Sequence, residues 1–253
     1  MRIFLKTEDE IILLRAASQL ATRALIEVGR HVVPRLALSH LRNKVVNAVM
    51  RTVPTESNSG KEALSSDTEF TFFVNGAYIE TSLEGECMLC EGDWLTVNCW
   101  VCLDGYYSFG AHTFIVGSSQ DDEPMVSTLR DMLRQVVRRA SAGHSIKEMS
   151  RTVYSLHSHD PYVLLKTFGH GVGRNRVENP ILRMNPGVND TVLLKEGMCL
   201  VIALAFKHGR SHFIKPRLMH ESTFHNPFVP FGTTVVVRPG RPEILTSFET
   251  IVK

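Results

Sequence analysis

The sequence predicts an α+β protein made from a duplicated unit. Three observations carry that reading: helical patterns opened by capping sequences, apolar and β-branched runs folded about a two-residue turn, and a second set of helices and strands in the same order. Thr7 with Glu10 has the form of a capping box, and Leu14, Ala17, Ala21, Ala24 and Val28 then recur at helical spacing, predicting a long amphipathic helix that ends near Gly29. After "VVPRLA", Ser39 opens a second helical pattern to about Met50, and the polar stretch "PTESNSGKEALSSD" reads as a loop. Residues 70–116 have strand character, clearest in "WLTVNCWVCLDGYYSFGAHTFIV", whose Asp104-Gly105 is the composition of a hairpin turn. The second half predicts a helix over Ser127–Ala140, a break at "SAGHS", and a helix started by Ser145 and Glu148. Strands follow near 163–168, 192–204 and 233–237.

Composition bounds the function classes. A chain of 253 residues that is 43% hydrophobic and 21% charged can bury a sizeable core. Its net charge of +2 creates no polyelectrolyte field, so neither nucleic acid nor an anionic membrane is expected as a partner, and the basic run "RQVVRRA" reads as a solvated helix face. "MRIFLKTEDE" lacks the apolar core of a secretory signal, no run is long enough to span a bilayer, and five cysteines fit a reducing compartment; the expected location is the cytoplasm.

Several stretches line up with one family. "FLKTEDEIILLRAAS", "EGDWLTVNCWVCLDGYYSFGAHTFIVG", "GHGVGRNRVENP", "LKEGMCLVIALAF" and "FGTTVVVRPGRPEILT" stand in an order and spacing that resemble type I methionine aminopeptidases, the M24 metallopeptidases of the pita-bread fold. The resemblance covers essentially the whole chain. It implies one pita-bread domain over 1–253, with pseudo-repeats of about 1–120 and 121–246 and a C-terminal extension at 247–253. It also implies a curved antiparallel sheet wrapped outside by helices, with a pocket on its inner face.

Members of that family hold two divalent cations with two aspartates, one histidine and two glutamates, and the metals activate the water that attacks the peptide bond after the initiator methionine. Laid on this chain, the resemblance puts those five positions at Asn98, Phe109, His170, Ala203 and Gly232. The separation of Asn98 and Phe109 about the Asp104-Gly105 turn predicts that they are diagonal cross-strand neighbours on one face. The two substrate-binding histidines of the family align with Glu80 and Val177. "SFETIVK" looks like the family's final ligand motif, but the match of "TTVVVRPGRPEILT" to the closing strand fixes that ligand at Gly232 and leaves Glu249 in the extension. An imidazole and an amide are a poor donor set for a metal pair, so neither metal nor other cofactor is expected.

Other constellations are weaker. "CMLC" and "CWVC" suggest a four-cysteine zinc site, yet a strand between Cys90 and Cys99 would set them roughly 30 Å apart, and Cys99 and Cys102 would face opposite sides. His208, His212, His220 and His225 read as a surface cluster, and "GHGVG" lacks the strand-to-helix setting of a phosphate loop. The reading is therefore a non-catalytic module that binds a polypeptide partner or a small hydrophobic ligand. The alternative is a metal-independent enzyme, as creatinase exemplifies for this fold, with His170 and Glu80 as general acid or base.

Overall fold

Thr7 accepts a hydrogen bond from the Glu10 amide while the Glu10 carboxylate accepts from the Thr7 amide, so the predicted capping box starts α1 (Glu8–His31). We describe a computed structural model, over residues 2–53, 64–117, 124–157, 163–164, 166–185, 192–207 and 228–247. The helix buries Ile11, Leu14, Ala17, Ala21, Ala24 and Val28 along one stripe. It passes the expected end at Gly29 and stops where Val32 donates to the Val28 carbonyl, just ahead of Pro34; a glycine within a helix is tolerated at about 1 kcal/mol.

The second helix, α2 (Leu38–Thr52), begins ahead of Ser39, and its N-cap Ala37 makes no side-chain cap. Tertiary contacts replace the cap: the Leu38 amide donates to the Cys87 carbonyl and the Ser39 amide to that of Glu84. In the second half, α3 (Pro124–Arg138) starts on a proline, which fits a first helical position. The helix α4 (Ile146–His157) follows the box in which the Ser145 hydroxyl accepts from the Glu148 amide and the Glu148 carboxylate from the Ser145 amide.

The strands are β1 (Glu69–Val74), β2 (Ala77–Tyr78), β3 (Trp94–Leu103) and β4 (Tyr106–Ile115) in the first half. In the second they are β5 (Val163–Leu164), β6 (Thr167–Gly171), β7 (Glu178–Arg183), β8 (Cys199–Lys207), β9 (Phe228–Val236) and β10 (Glu243–Ile244). The element order repeats, helices before strands in both halves. One antiparallel sheet runs β2-β1-β3-β4-β9-β8-β6-β7, with β10 beside β9 and β5 beside β8. Asp104 and Gly105 both take positive φ, 49° and 76°, which is what a tight hairpin turn of matching twist needs.

Alternation along the strands sorts two faces. Leu95, Val97, Cys99 and Val101 of β3, and Leu200, Ile202, Leu204 and Phe206 of β8, join the main core with α1, α2, α3 and α4. The intervening residues form the other face, where Phe109, Ala111, Cys199 and Val201 pack in a second cluster that the start of α1 reaches with Ile11 and Leu14. There β4 meets β9 at the single pair Ala111↔Gly232, and side chains supplement the join: the Thr234 hydroxyl accepts from the Phe109 amide and donates to its carbonyl, both at 2.9 Å, and Thr246 donates to that carbonyl at 2.9 Å. No helix among the described residues is long and apolar enough to cross a membrane.

Candidate functional site

Strand register alone brings five of the predicted positions onto the inner face. Asn98 pairs with Ala111 and Trp100 with Phe109, so Asn98 and Phe109 are the diagonal neighbours that the hairpin spacing predicts. Across the junction, Gly232 stands opposite both Ala111 and Ala203. His170 on β6 pairs with Val201, two residues from Ala203 and so on the same face. His170 reaches this place because β6 approaches β8 very closely: a Cβ on Gly169 would lie 2.1 Å from the Val201 carbonyl oxygen.

The turn after β6 is held by a buried ion pair. Lys6 Nζ lies 2.6 Å from the Glu178 carboxylate, with side chains only 4% and 5% exposed, and Glu178 also accepts from the Asn175 amide at 3.2 Å. Both charges are thus paired and bonded, which a buried pair requires.

The centre of the face is occupied by rings. Phe109 is buried, its ring 4.8 Å from that of Trp100 and tilted to it. Trp100 in turn stacks nearly parallel to the His170 imidazole, at 6.1 Å and 9°. A Cβ placed on Gly232 would lie 2.6 Å from Phe109 Cε1 and 3.0 Å from the Ala203 Cβ. The Phe109 ring therefore fills the space in which any side chain at 232 would begin.

Two polar groups remain at this surface. Asn98 Oδ1 is buried and accepts no hydrogen bond among the described residues, and such an acceptor is costly to leave unsatisfied. His170 donates from Nδ1 to the Gly171 carbonyl at 2.8 Å, which leaves Nε2 as the acceptor of the neutral ring. Burial holds the His170 pKa below the ordinary histidine value, against a smaller opposing effect of that hydrogen bond.

Two residues of this surface were not singled out in the sequence, Trp100 and Arg176. The first was within reach, because strand alternation from Asn98 puts Trp100 on the same face. Arg176 was not. Its guanidinium lies over Trp100 at 5.7 Å and Tyr107 at 5.8 Å, bonds Glu69 at 2.9 Å and donates to the Asp67 carbonyl, tying the β6–β7 turn to the first half. Tyr107 donates to Asp67 at 2.5 Å, and that carboxylate pushes the phenol up to about 12.

The predicted substrate-side positions lie at the edge. Glu80 is exposed at the head of the short 3-10 turn Thr81–Leu83, and no hydrogen bond or ion pair joins it to His170 among the described residues. Val177 is 58% exposed in the turn before β7. Cys99 and Cys102 are buried on β3 and Cys90 is exposed ahead of it; three residues apart on a strand, Cys99 and Cys102 face opposite sides. No group of three or more His, Cys, Asp or Glu suited to a metal ion occurs among the described residues. His208, His212, His220, His225 and Glu249 lie outside them.

The architecture can now be compared with known proteins. The model of metallopeptidase family M24 matches residues 12–239. The chain belongs to that family. Among curated M24 relatives, the methionine aminopeptidase of Helicobacter pylori is 29% identical over 220 residues, covering 83% of this chain and 85% of the relative. That of Clostridium perfringens is 25% identical over 248 residues, 96% and 98% of the two chains. The crystal structure of methionine aminopeptidase from Thermotoga maritima superposes with a TM-score of 0.78 at 21% identity, covering 97% of this chain and all of that one. The prolidase of Pyrococcus furiosus gives 0.72 at 20% identity over 96% of this chain and 65% of that one. Likenesses at such identity establish the fold, and the α+β pita-bread architecture of the M24 family is the fold of this chain.

Proposed function

We propose that this M24 member has lost the dinuclear metal chemistry of methionine aminopeptidases and serves as a non-catalytic module that binds a polypeptide or a small hydrophobic ligand on its inner face. The observation that supports this most is the Phe109 ring, which stands where a side chain at 232 would start, 2.6 Å from that Cβ. Two dications in contact need several hard, negatively charged oxygens. The donors here are the His170 imidazole and the Asn98 amide, beside Ala203, Gly232 and a phenyl ring; that set does not fit a metal pair. The proposed protein needs no cofactor and works in the cytoplasm.

Recognition would use what the surface offers. Trp100 supplies an apolar wall and His170 Nε2 an acceptor, with the buried Phe109 ring and Asn98 Oδ1 behind them. A peptide N–H or an amine satisfies such an acceptor, and its apolar neighbour packs on the wall.

The test is elemental analysis after incubation with manganese, together with release of methionine from a Met-Ala-Ser peptide. The expected outcome is metal well below one equivalent and no methionine released. About two equivalents, removed by chelator together with activity, would overturn the proposal.

The alternative, metal-independent catalysis by His170 with Glu80, draws support from the lowered pKa of His170, which keeps a neutral imidazole available. The exposure of Glu80 at the edge weighs against it as a partner. Turnover of a small molecule that collapses in a well-folded His170→Ala protein would favour this alternative over the binding module.

A further inference from the structure

Three arginines line one cavity in the second half of the molecule. Arg134 and Arg138, one turn apart on α3, and Arg241, in the turn after β9, line a cavity of about 610 Å³ with the apolar Val137, Pro242 and Ile244. Among the described residues, no acidic side chain lines it. Arg134 is bonded to Asp131 at 2.8 Å, whereas the side chains of Arg138 and Arg241 have no ion-pair or hydrogen-bond partner among the described residues. The end of a helix favours a cation, and that accounts for Arg138 and the adjacent Arg139. It does not account for Arg241, which a distant stretch of chain delivers to the same cavity through a turn at Gly240, with φ 74°.

We propose that this cavity binds a small phosphate-bearing molecule with an apolar or ring-bearing body, a nucleoside diphosphate being a representative. Guanidinium forks match phosphate oxygens in pairs, and Arg138 and Arg241 together suit more than one anionic group, with Arg134 beside them engaged by Asp131. The half-buried Pro242 and the 42% exposed Ile244 give the uncharged body a wall to rest on. A compact ligand fits better than an extended polyanion for two reasons. The volume is that of a small-molecule site, and a net charge of +2 provides no long-range field for a nucleic acid or an acidic protein. The site shares no residue with the inner face, so it is independent of the function proposed above.

The experiment is calorimetric titration of ADP, without magnesium and at physiological salt, into the full chain and into variants whose thermal melting matches wild type. Saturable one-to-one binding is expected. Arg138→Ala and Arg241→Ala should each weaken it about tenfold or more, the cost of a lost charge-assisted hydrogen bond. Ile244→Ser should also weaken it, by a smaller factor. Arg139→Ala removes an exposed neighbouring charge that does not line the cavity and should stay within about twofold. Absence of saturable binding overturns the proposal, as does an equal loss in Arg139→Ala, which would reduce the effect to diffuse charge. Inorganic tripolyphosphate binding as tightly as ADP with no effect of Ile244→Ser would refute a body resting on the apolar wall. A poly-glutamate peptide that binds more tightly than ADP, with the same dependence on Arg138 and Arg241, would assign the cavity to an acidic polypeptide instead and overturn it as well.

Discussion

The hairpins β3–β4 and β8–β9 occupy corresponding places in the two halves, yet their inner faces differ at the centre. The first carries large rings where Trp100 stands opposite Phe109; the second has almost no side-chain volume where Ala203 stands opposite Gly232. The two are complementary, since the Phe109 ring lies where a side chain at 232 would begin. Residues far apart in sequence thus share one packed volume, in which the Phe109 ring abuts Gly232 and Ala203.

The strongest way to break this complementarity is Gly232→Glu, which drives a charged side chain into the Phe109 ring. It should cost about 3–5 kcal/mol in urea unfolding, as a buried unpaired charge with a clash does. Adding Phe109→Ala should relieve part of the loss, with a coupling of more than about 1 kcal/mol. Additive effects would mean that the two positions do not share one volume. Phe109→Ala alone comes next, at about 3 kcal/mol for the cavity left behind. It should bring no gain in manganese affinity, because ring removal supplies no ligand.

Arg176→Ala probes how the halves meet over Trp100. Its ion pair with Glu69 is partly exposed, so the expected cost is about 1 kcal/mol or less, accompanied by a red shift in tryptophan fluorescence as Trp100 gains water. The smallest effect concerns pH. Burial lowers the His170 pKa below its ordinary 6.5, so the unfolded chain binds the proton more readily than the folded one. The stability due to the neutral ring is present above pH 6.5 and is lost as pH falls through that value toward the folded pKa. Thermal melting from about pH 7 to about pH 5 should therefore fall more steeply in the wild type than in His170→Gln; equal slopes would show that this ring is not desolvated.

Much of the frame was legible because it rests on short-range rules. The capping residues Thr7–Glu10 and Ser145–Glu148 and the Asp104-Gly105 turn act within a few residues of themselves, and each does locally what its sequence implies. The start of α2 was misplaced for the converse reason: the amides of Leu38 and Ser39 are satisfied by carbonyls of Cys87 and Glu84, which nothing near Ser39 announces. Of the site, the shared face of Asn98 and Phe109 followed from hairpin register, while Arg176 was invisible because its partners Glu69, Trp100 and Tyr107 belong to the other half.

By itself the sequence determined most of the helices and strands, though not β7 or β10, and that one hairpin carries Asn98 and Phe109 together; the family resemblance implied five positions that read as one imidazole and no carboxylate. Side-chain period and turn chemistry are properties of neighbouring residues, so no tertiary contact is needed to read them. Only the tertiary structure decided what stands in the resulting space. Whether Ala203 and Gly232 leave a hole or admit a ring depends on where β9 meets β4, at Ala111↔Gly232 and through Thr234 and Thr246 on the Phe109 backbone. Packing volume is shared between strands that meet only in the fold, and it is there that the Phe109 ring found its place.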